Sequence, residues 1–325
     1  MAIICGIDEA GYGPLLGPLV VTAAAFRYPS SWSATERQVS WWRAFVSSPA
    51  AAENGTRFVV CDSKTLHRGV HGLRRLEEAI FPFLGLQGPP PTDVRSLLTR
   101  YDIAANELLA QLDHYLWYRG ANIALPLTCA AAPAILRAET LRHRLIESGL
   151  ELLGFKCAVT DVAQFNRAVA QSGNKGLVLW QSVTGLLRRL LEEHKDEEIT
   201  ALIDRQGGRM RYAPQLQSAF SEALVATLAE SSTCSVYRLC HGRRSVTVRF
   251  EVGADKTQPV TALASMFSKY VRELLMQMFN EFWRQRDGSL TPTAGYYSDA
   301  LRFLRDIEPL REALAVSREL LVRSR

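Results

Sequence analysis

Two neighbouring carboxylates followed by a glycine turn place the strongest constraint on how this chain folds. An apolar run from Ala2 ends at Asp8 and Glu9, the tripeptide GYG (11–13) comes next, and a second apolar run extends from Pro18 to Phe26. Such runs predict two buried strands joined by a turn. Neighbouring strand residues point to opposite faces. Both carboxylates therefore reach one site only if the strand stops there, and the glycines make that bend credible.

Three interpretations of this segment stay open. The glycines match a dinucleotide-binding loop, but such a loop needs a helix that begins at the glycines, and here Pro18 and a strand-like run follow. The adjacent carboxylates would also repel a phosphate. A metal site uses the carboxylates directly, and it is favoured by further acids at the ends of apolar runs, namely Asp62, Asp204 and Asp255. Acids at strand ends build sites at the edge of an α/β sheet, although each one alone is typical of a solvated turn.

The overall composition is that of a globular protein. The chain has 325 residues, of which 47% are hydrophobic and 22% charged, a balance that argues against disorder. No apolar run approaches the roughly 20 residues that a membrane span requires. Asp8 and Glu9 interrupt the apolar stretch near the N-terminus, so we expect no signal peptide and a location in the cytoplasm. The net charge of +5 is a mild indication of an acidic partner.

Cysteine and histidine spacing disfavours a zinc site. The six cysteines form no C-x-x-C pair, and the six histidines show no ligand spacing. We expect the cysteines to be reduced and inert. Any metal would then be held by carboxylates, which favours Mg²⁺ or Mn²⁺.

The order of predicted elements indicates a mixed α/β fold. The proline run at 89–91 is a breaker, and the pattern from about Val94 to Leu153 is helical. We therefore divide the chain into a main domain (1–84 and 154–290), a helical insertion (85–153) and a C-terminal helical segment (291–325). Further strands are predicted at Arg57–Cys61, Glu198–Asp204, 235–240 and 245–252, and further helices at Gly69–Ile80, Leu177–His194 and Thr257–Arg286, the last with Thr257 as N-cap.

Several segments together resemble the type 2 ribonucleases H, the family of ribonuclease HII. "GIDEAGYGPLLGPLVV" is similar to the family's opening signature, and "CDSKTL" to its Asp-Ser-Lys-Lys-Leu segment. "LID" resembles the strand that carries the third acid, "GADKTQPVTALASMFSKYVRELL" a later helix, and "GYYSDALRFL" faintly a C-terminal Gly-Tyr-Gly-Thr segment. These segments keep the family's order from residue 3 to about 304, and 85–150 is additional.

The resemblance implies a ribonuclease H-like mixed sheet flanked by helices, with the main domain as the catalytic domain. The implied activity is hydrolysis of the RNA strand of an RNA–DNA hybrid, or of ribonucleotides embedded in DNA, with two divalent cations, Mg²⁺ or Mn²⁺, as cofactors. The implied catalytic and metal-binding acids are Asp8, Glu9, Asp204 and Glu273. The implied substrate-binding residues are Gly11, Tyr12, Gly13, Ser63, Lys64, Lys256, Lys269 and Tyr296.

Two departures from the family pattern leave alternatives open. Tyr12 stands where the family has Arg, and Glu273 stands where it has Asp. The longer Glu273 side chain predicts an altered metal preference, because Mg²⁺ demands near-ideal geometry. Lys269 and Glu273 also fit an ordinary i,i+4 surface salt bridge. A homologue that binds nucleic acid without cutting it, and a nucleotide-cofactor enzyme, remain the alternative functions.

Overall fold

The computed structural model describes residues 1–46, 58–242 and 244–324. Seven strands form one sheet in the order β5-β2-β1-β6-β9-β8-β7, and β3 pairs with β4 in a separate two-stranded sheet. The strand bounds are β1 Ala2–Ala10, β2 Leu19–Tyr28, β3 Phe45–Val46, β4 Phe58–Val59, β5 Glu151–Thr160, β6 Glu198–Asp204, β7 Leu224–Glu230, β8 Cys234–His241 and β9 Arg244–Glu251.

Helices cover both faces of this sheet and link its strands. The helix bounds are α1 Ala34–Ala44, α2 Ser63–Leu66, α3 Gly72–Gly85, α4 Val94–Tyr101, α5 Ala105–Leu112, α6 Ala131–Glu147, α7 Val162–Ser172, α8 Lys175–Glu193, α9 Ala213–Ala219, α10 Ala254–Thr257, α11 Pro259–Arg284, α12 Tyr297–Asp306, α13 Glu308–Ala313 and α14 Arg318–Leu321. No helix among the described residues has the length and apolar character needed to cross a membrane.

The sheet mixes parallel and antiparallel pairs, as the predicted fold class requires. Strand β1 runs antiparallel to β2 and parallel to β6, and β6 runs parallel to β9. The remaining neighbours, β2 with β5, β9 with β8 and β8 with β7, are antiparallel. A mixed sheet flanked by helices is therefore confirmed. Because these pairs are parallel, the C-terminal ends of β1, β6 and β9 lie at the same end of the sheet.

A hydrophobic core lies on each face of the sheet. Side chains of β1 alternate between the two cores: Ile4 packs into the core that contains α11, while Ile3 and Ile7 pack into the core that contains α8. This burial on both faces explains why the β1 sequence is continuously apolar rather than alternating.

Glycine at position 6 lets α11 lie directly on β1. A Cβ atom built on Gly6 would lie 2.3 Å from the Thr261 amide nitrogen and 2.4 Å from the Val260 carbonyl carbon. Any larger residue would push the start of α11 away from the strand. The N-terminal half of α11 is thereby held beside the last residues of β1.

The structure corrects several predicted boundaries. The helical pattern predicted to continue to Leu153 is wrong there, because α6 ends at Glu147, Gly149 adopts a left-handed φ of 68° and edge strand β5 begins at Glu151. The other edge strand, β7, is missing from the prediction because most of its side chains are exposed and it lacks a clear apolar alternation.

The start of the long helix also differs from the prediction. Thr257 ends the short helix α10, and Gln258 is the N-cap residue of α11, with Pro259 in its first turn. The predicted N-cap at Thr257 is therefore wrong. Arg57, predicted to begin a strand, lies outside the described residues, and β4 is described from Phe58.

Residues of the predicted insertion, 85–153, pack into the same core as α11. The ring of Trp117 lies 5.3 Å from that of Phe279, and the ring of Tyr101 lies 5.2 Å from that of Phe267. The division of the chain into a catalytic domain and an insertion remains a prediction, but this segment shares the hydrophobic core on the α11 face.

A buried carboxylate joins α3, α11 and the segment before α6. Glu77 is fully buried, and its Oε1 accepts hydrogen bonds from the Leu127 amide and the Tyr270 hydroxyl, both at 2.7 Å. Its Oε2 accepts from the amides of Thr128 and Cys129, at 2.5 and 3.0 Å. When a donor group replaces one oxygen of such a buried acceptor, donors face each other and the protein loses much stability.

Glu77→Gln should therefore lower the free energy of unfolding by about 3 kcal/mol, because the new amide group must face N–H or O–H donors. The matched control is Glu78→Gln, which removes a partly exposed ion pair with Arg74 at 2.8 Å and should cost less than about 1 kcal/mol. Chemical denaturation of the two variants measures the difference. Equal stability losses would contradict the structural role of Glu77.

Asp102 joins the α4–α5 connection to β5 and titrates abnormally. Its carboxylate accepts hydrogen bonds from the amides of Ala104 and Val159, both at 2.8 Å. Burial raises the pKa of Asp102 from 3.8 to about 6. The folded state therefore binds the proton more tightly than the unfolded state does.

Because the folded-state pKa is the higher one, stability from this group is present at low pH and is lost as the pH rises through about 6. Relative to Asp102→Asn, the wild type should lose about 3 kcal/mol between roughly pH 4 and pH 7. Denaturant titrations of both proteins across this range measure the difference. Parallel stability curves would refute it.

Candidate functional site

A cleft of about 270 Å³ lies at the end of the sheet where the central strands β1 and β6 finish. Four carboxylates line it: Asp8 and Glu9 of β1, Asp204 of β6 and Asp255 of α10. The predicted residues Gly11, Tyr12, Gly13, Ser63, Lys64, Lys269 and Tyr296 also line it, whereas Lys256 and Glu273 do not.

Strand pairing explains how both carboxylates of β1 reach the cleft. Strand β1 pairs with β6 only as far as Ile7, opposite Ile203, but it pairs with β2 as far as Ala10. The prediction that the strand stops at Asp8 is therefore wrong. Beyond Ile7, the side of β1 that faces β6 is unpaired. Because the cleft lies at this end of the sheet, Asp8 and Glu9 both line it although they point to opposite faces of the strand.

A hydrogen bond from a backbone amide to the Asp204 side chain brings Asp255 beside Asp204. Asp204 is the last residue of β6, and its Oδ1 accepts a hydrogen bond from the Ala254 amide at 2.8 Å. Gly253, with a φ of 66°, turns the chain from β9 into α10 at this point. Asp255 is 7% exposed and lines the cleft with the other acids.

Asp8 and Asp255 are buried, Glu9 and Asp204 are partly buried, and Asp8, Glu9 and Asp204 repel one another. Burial, then Glu9 and Asp204, raise the pKa of Asp8 well above its ordinary value. Burial and Asp204 raise the pKa of Glu9 to about 7. Burial also raises the pKa of Asp204 and of Asp255, with a smaller contribution from repulsion between these two at Asp204. The cleft thus concentrates more negative charge than its surroundings neutralise.

Lys64 faces these acids. It lies in α2, directly after Asp62 and Ser63. Burial alone would lower the pKa of Lys64, but the nearby acids, Asp62, Asp255, Asp8 and Glu9, together raise it. Its ammonium group therefore stays charged and partly compensates the carboxylates of the cleft.

Helix α11 positions Asp8 through two serines. The Ser268 hydroxyl donates to the Asp8 carbonyl oxygen at 3.0 Å, and the Ser265 side chain hydrogen-bonds to the Asp8 carboxylate. The hydroxyl oxygens of Ser63 and Ser265 lie 3.0 Å apart. Ser265 and Lys269, four residues apart on α11, both line the cleft.

Glu273 lies among basic groups outside the cleft. Its carboxylate is 2.5 Å from Lys269 Nζ, 3.5 Å from Arg272 Nη1 and 3.6 Å from His67 Nε2. Burial acts to raise the pKa of Glu273, but these three groups outweigh it and lower the pKa. The i,i+4 salt bridge between Lys269 and Glu273 is thus present, and Asp255 rather than Glu273 stands with the other three acids.

The glycine turn is rigidly supported from beneath. Gly11 has a φ of 92°, and a Cβ there would lie 2.6 Å from Arg272 Nε. Arg272 is 1% exposed and donates to the carbonyls of Leu16 and Ala294, at 3.2 and 3.0 Å. A Cβ on Gly13, in contrast, would meet no atom within 4 Å. The outer part of the turn is open to a ligand.

Aromatic and basic side chains surround the cleft. Tyr12 and Tyr296 both line it, and Tyr296 is 50% exposed. Lys175 places its ammonium group 5.3 Å from the centre of the Tyr12 ring. Lys256 is exposed and lies next to Asp255, where its charge acts to lower the pKa of that acid.

The donor set fits a hard divalent cation. Within the described residues, no group of three or more His, Cys, Asp or Glu side chains stands in metal-ligand geometry, so binding would require side-chain adjustment. The donors are nevertheless all carboxylate oxygens, which suit Mg²⁺ and Mn²⁺. Burial first and mutual repulsion second raise the pKa of Asp8 and Glu9, and a bound cation would relieve the repulsion.

No protein-family model and no curated protein matches the chain. Solved structures of type 2 ribonucleases H are similar to it. RNase HII of Archaeoglobus fulgidus, solved in complex with PCNA, is 16% identical with a TM-score of 0.42, over 99% of this chain and 94% of that one. Ribonuclease H2 of Pyrococcus horikoshii is 13% identical with a TM-score of 0.42, over 98% and 92%.

A third similar structure is Bst-RNase HIII in complex with Mn²⁺. It is 17% identical with a TM-score of 0.44, over 99% of this chain and 66% of that one. What this chain's cleft can do follows from the cleft's own residues.

Substitutions at Asp255 and Glu273 should have opposite effects on stability in EDTA at neutral pH. Asp255→Asn should raise the melting temperature, because it removes one of several repelling buried charges. Glu273→Gln should cost about 2 kcal/mol, because Lys269 and Arg272 lose their partner. Thermal unfolding in EDTA measures both.

Added Mn²⁺ should stabilise the wild type and Glu273→Gln, and should stabilise Asp255→Asn much less, since a ligand that binds only the folded state raises its stability. A normal Mn²⁺ response in Asp255→Asn, together with a lost response in Glu273→Gln, would restore Glu273 as the ligand.

Proposed function

We propose that this protein is a metal-dependent endoribonuclease that cuts the RNA strand of RNA–DNA hybrids or ribonucleotides embedded in DNA. The observation that carries the proposal is the convergence of four buried or partly buried carboxylates, Asp8, Glu9, Asp204 and Asp255, on one cleft at the end of the sheet. The resemblance of the opening segment to type 2 ribonucleases H supplies the substrate class.

Asp8, Glu9, Asp204 and Asp255 would hold the divalent cations. Two such cations, when bound, supply activation of the attacking water and charge stabilisation at the leaving oxygen. Asp8 is held in place by Ser265 and Ser268, and Asp204 by the Ala254 amide. Carboxylates held in this way are ready for cations without a large rearrangement of the backbone.

Basic and aromatic groups around the cleft would bind the nucleic acid. Lys64 lies beside the acids of the cleft and would contact the phosphate that is cut. Lys256 is exposed outside the cleft and would contact a neighbouring phosphate. The open backbone at Gly13 allows close approach of a ribose. The exposed ring of Tyr296 would stack on a sugar or base.

Lys269 and Arg272 have positioning roles in this proposal. Lys269 lines the cleft but is paired with Glu273, and Arg272 fixes the backbone of the turn through its bonds to Leu16 and Ala294. Glu273 would orient these two cations instead of binding metal.

A DNA duplex with a single ribonucleotide tests the function. The wild type should cut at the ribonucleotide with Mg²⁺ or Mn²⁺, leave an all-DNA duplex intact, and lose activity in EDTA. Asp8→Asn and Asp255→Asn should each lower the cleavage rate by at least about a thousandfold, since each removes a metal ligand. Glu273→Gln should stay within about tenfold of the wild type.

The same variants separate cutting from binding. Asp8→Asn should still bind the duplex in EDTA, because the phosphate contacts do not involve this carboxylate. Tight binding by the wild type with an intact substrate would instead indicate a binding protein that does not cut. Undiminished cleavage by Asp8→Asn would remove the carboxylate cleft from the mechanism.

A further inference from the structure

A second cavity lies on the far side of the glycine turn from the carboxylates. It has a volume of about 310 Å³, and Tyr12, Gly13 and Pro14 line both it and the cleft. Its other described lining residues include Lys175 and Arg323, and none of the described lining residues is acidic. We call it the turn-side pocket.

Arg323 is buried in this pocket without a full set of partners. It is 3% exposed, and its guanidinium carbon lies 4.7 Å from the centre of the Phe165 ring. Nη2 donates to the Pro14 carbonyl. Nε and Nη1 have no hydrogen-bond partner among the described residues. A buried guanidinium with two unpaired donors is costly, so an absent acceptor is the natural explanation.

The electrostatic surroundings of Arg323 point to the same absent acceptor. Burial, with a contribution from the positive charge of Arg272, lowers the pKa of Arg323 to about 9. No carboxylate forms an ion pair with Arg323 in the described part of the chain. An anion in the pocket would supply the missing charge.

Helix α8 adds a second source of positive potential. This 19-residue helix begins at Lys175, and its N-cap residue Asn174 accepts a hydrogen bond from the Gly176 amide at 2.8 Å. Lys175 lies beside the Tyr12 ring and lines the pocket. The N-terminal end of a long helix carries partial positive charge and favours anions.

We propose that the turn-side pocket binds a backbone phosphate of the nucleic acid whose neighbouring linkage lies in the carboxylate cleft. The identity of that strand rests on the proposed function, while the presence of an anion site rests on Arg323 and Lys175. Residues 12–14 separate the two cavities, and Gly13 leaves room for a strand to cross the turn. The pocket would anchor a strand that the carboxylates otherwise repel.

The first test measures duplex binding in EDTA as a function of salt, so that its result does not depend on cleavage. Lys175→Gln should weaken binding about tenfold and reduce the slope of log K against log salt by about 0.9, the contribution of one phosphate contact. The matched control is Lys195→Gln, which removes the same charge just beyond the other end of α8 and should leave the slope unchanged. Identical slopes in the two variants would overturn the proposal.

The second test replaces single phosphates near the ribonucleotide with neutral methylphosphonates. One position should weaken binding to the wild type, and the same replacement should have little further effect in Lys175→Gln, because the contact is already lost. If no position shows this loss of effect, the assignment to a backbone phosphate is wrong. If this methylphosphonate pattern is observed but the protein does not cleave the duplex, the nuclease proposal is wrong, whereas the assignment of the pocket to a backbone phosphate stands.

The third test uses inorganic phosphate alone. Phosphate should raise the melting temperature of the wild type more than that of Arg323→Met, which keeps a side chain of similar length on Phe165 but lacks the charge. Equal shifts in the two proteins would overturn the role of Arg323. Should Arg323→Met fail to fold, the same comparison is made with Lys175→Gln and Lys195→Gln. Saturation by inorganic phosphate without any position-specific methylphosphonate effect would indicate a site for free phosphate and overturn the backbone assignment.

Discussion

The direct packing of α11 on β1 is the constraint on which the site depends. The backbone of α11 approaches Gly6 so closely that no Cβ fits between them. From that contact point the helix continues past Asp8, where Ser265 and Ser268 hold the carboxylate and its backbone. Segments more than 250 residues apart in the chain are thereby fixed within hydrogen-bonding distance. A larger residue at position 6 would separate them.

The cleft concentrates like charges that the fold itself does not neutralise. Four carboxylates share it, and Lys64 faces them. Two further basic residues that line the cleft, Lys269 and Arg272, are already paired with Glu273. The fold thus separates its charges: Glu273 satisfies the cations of α11, and the cleft keeps a negative excess. Such an excess destabilises the protein alone, and it is typical of a site built for cations.

The glycine turn has opposite electrostatics on its two sides. The carboxylate cleft lies on one side, and the turn-side pocket with Arg323 and Lys175 lies on the other. The backbone between them is held by Arg272 beneath and by the Gly295 carbonyl, which accepts from the amides of Leu15 and Leu16 at 2.7 and 3.1 Å. A rigid turn between a negative and a positive cavity can position a phosphodiester chain across both.

The local sequence determined the elements with strong patterns. The strand Glu198–Asp204 was predicted with its observed bounds, and β1, α8 and α11 were predicted to within a few residues. These segments have continuous or periodic burial, which appears in the sequence as an apolar run or as a helical periodicity of apolar residues. The edge strands β5 and β7 lack that mark because fewer of their side chains are buried, and only pairing with β2 and β8 makes them strands.

The candidate site, too, was partly predictable from the sequence and partly decided by the tertiary structure. The acids that follow apolar runs could be read from the sequence, and Asp204 and Asp255 were both among them. Only the tertiary structure decided which acids share the cleft, because the Ala254 amide bonds to Asp204 and carries Asp255 with it, while three basic groups hold Glu273 outside. Arg323 shows the limit most clearly. Its importance depends on burial and on partners that it lacks, and neither can be seen in a linear chain.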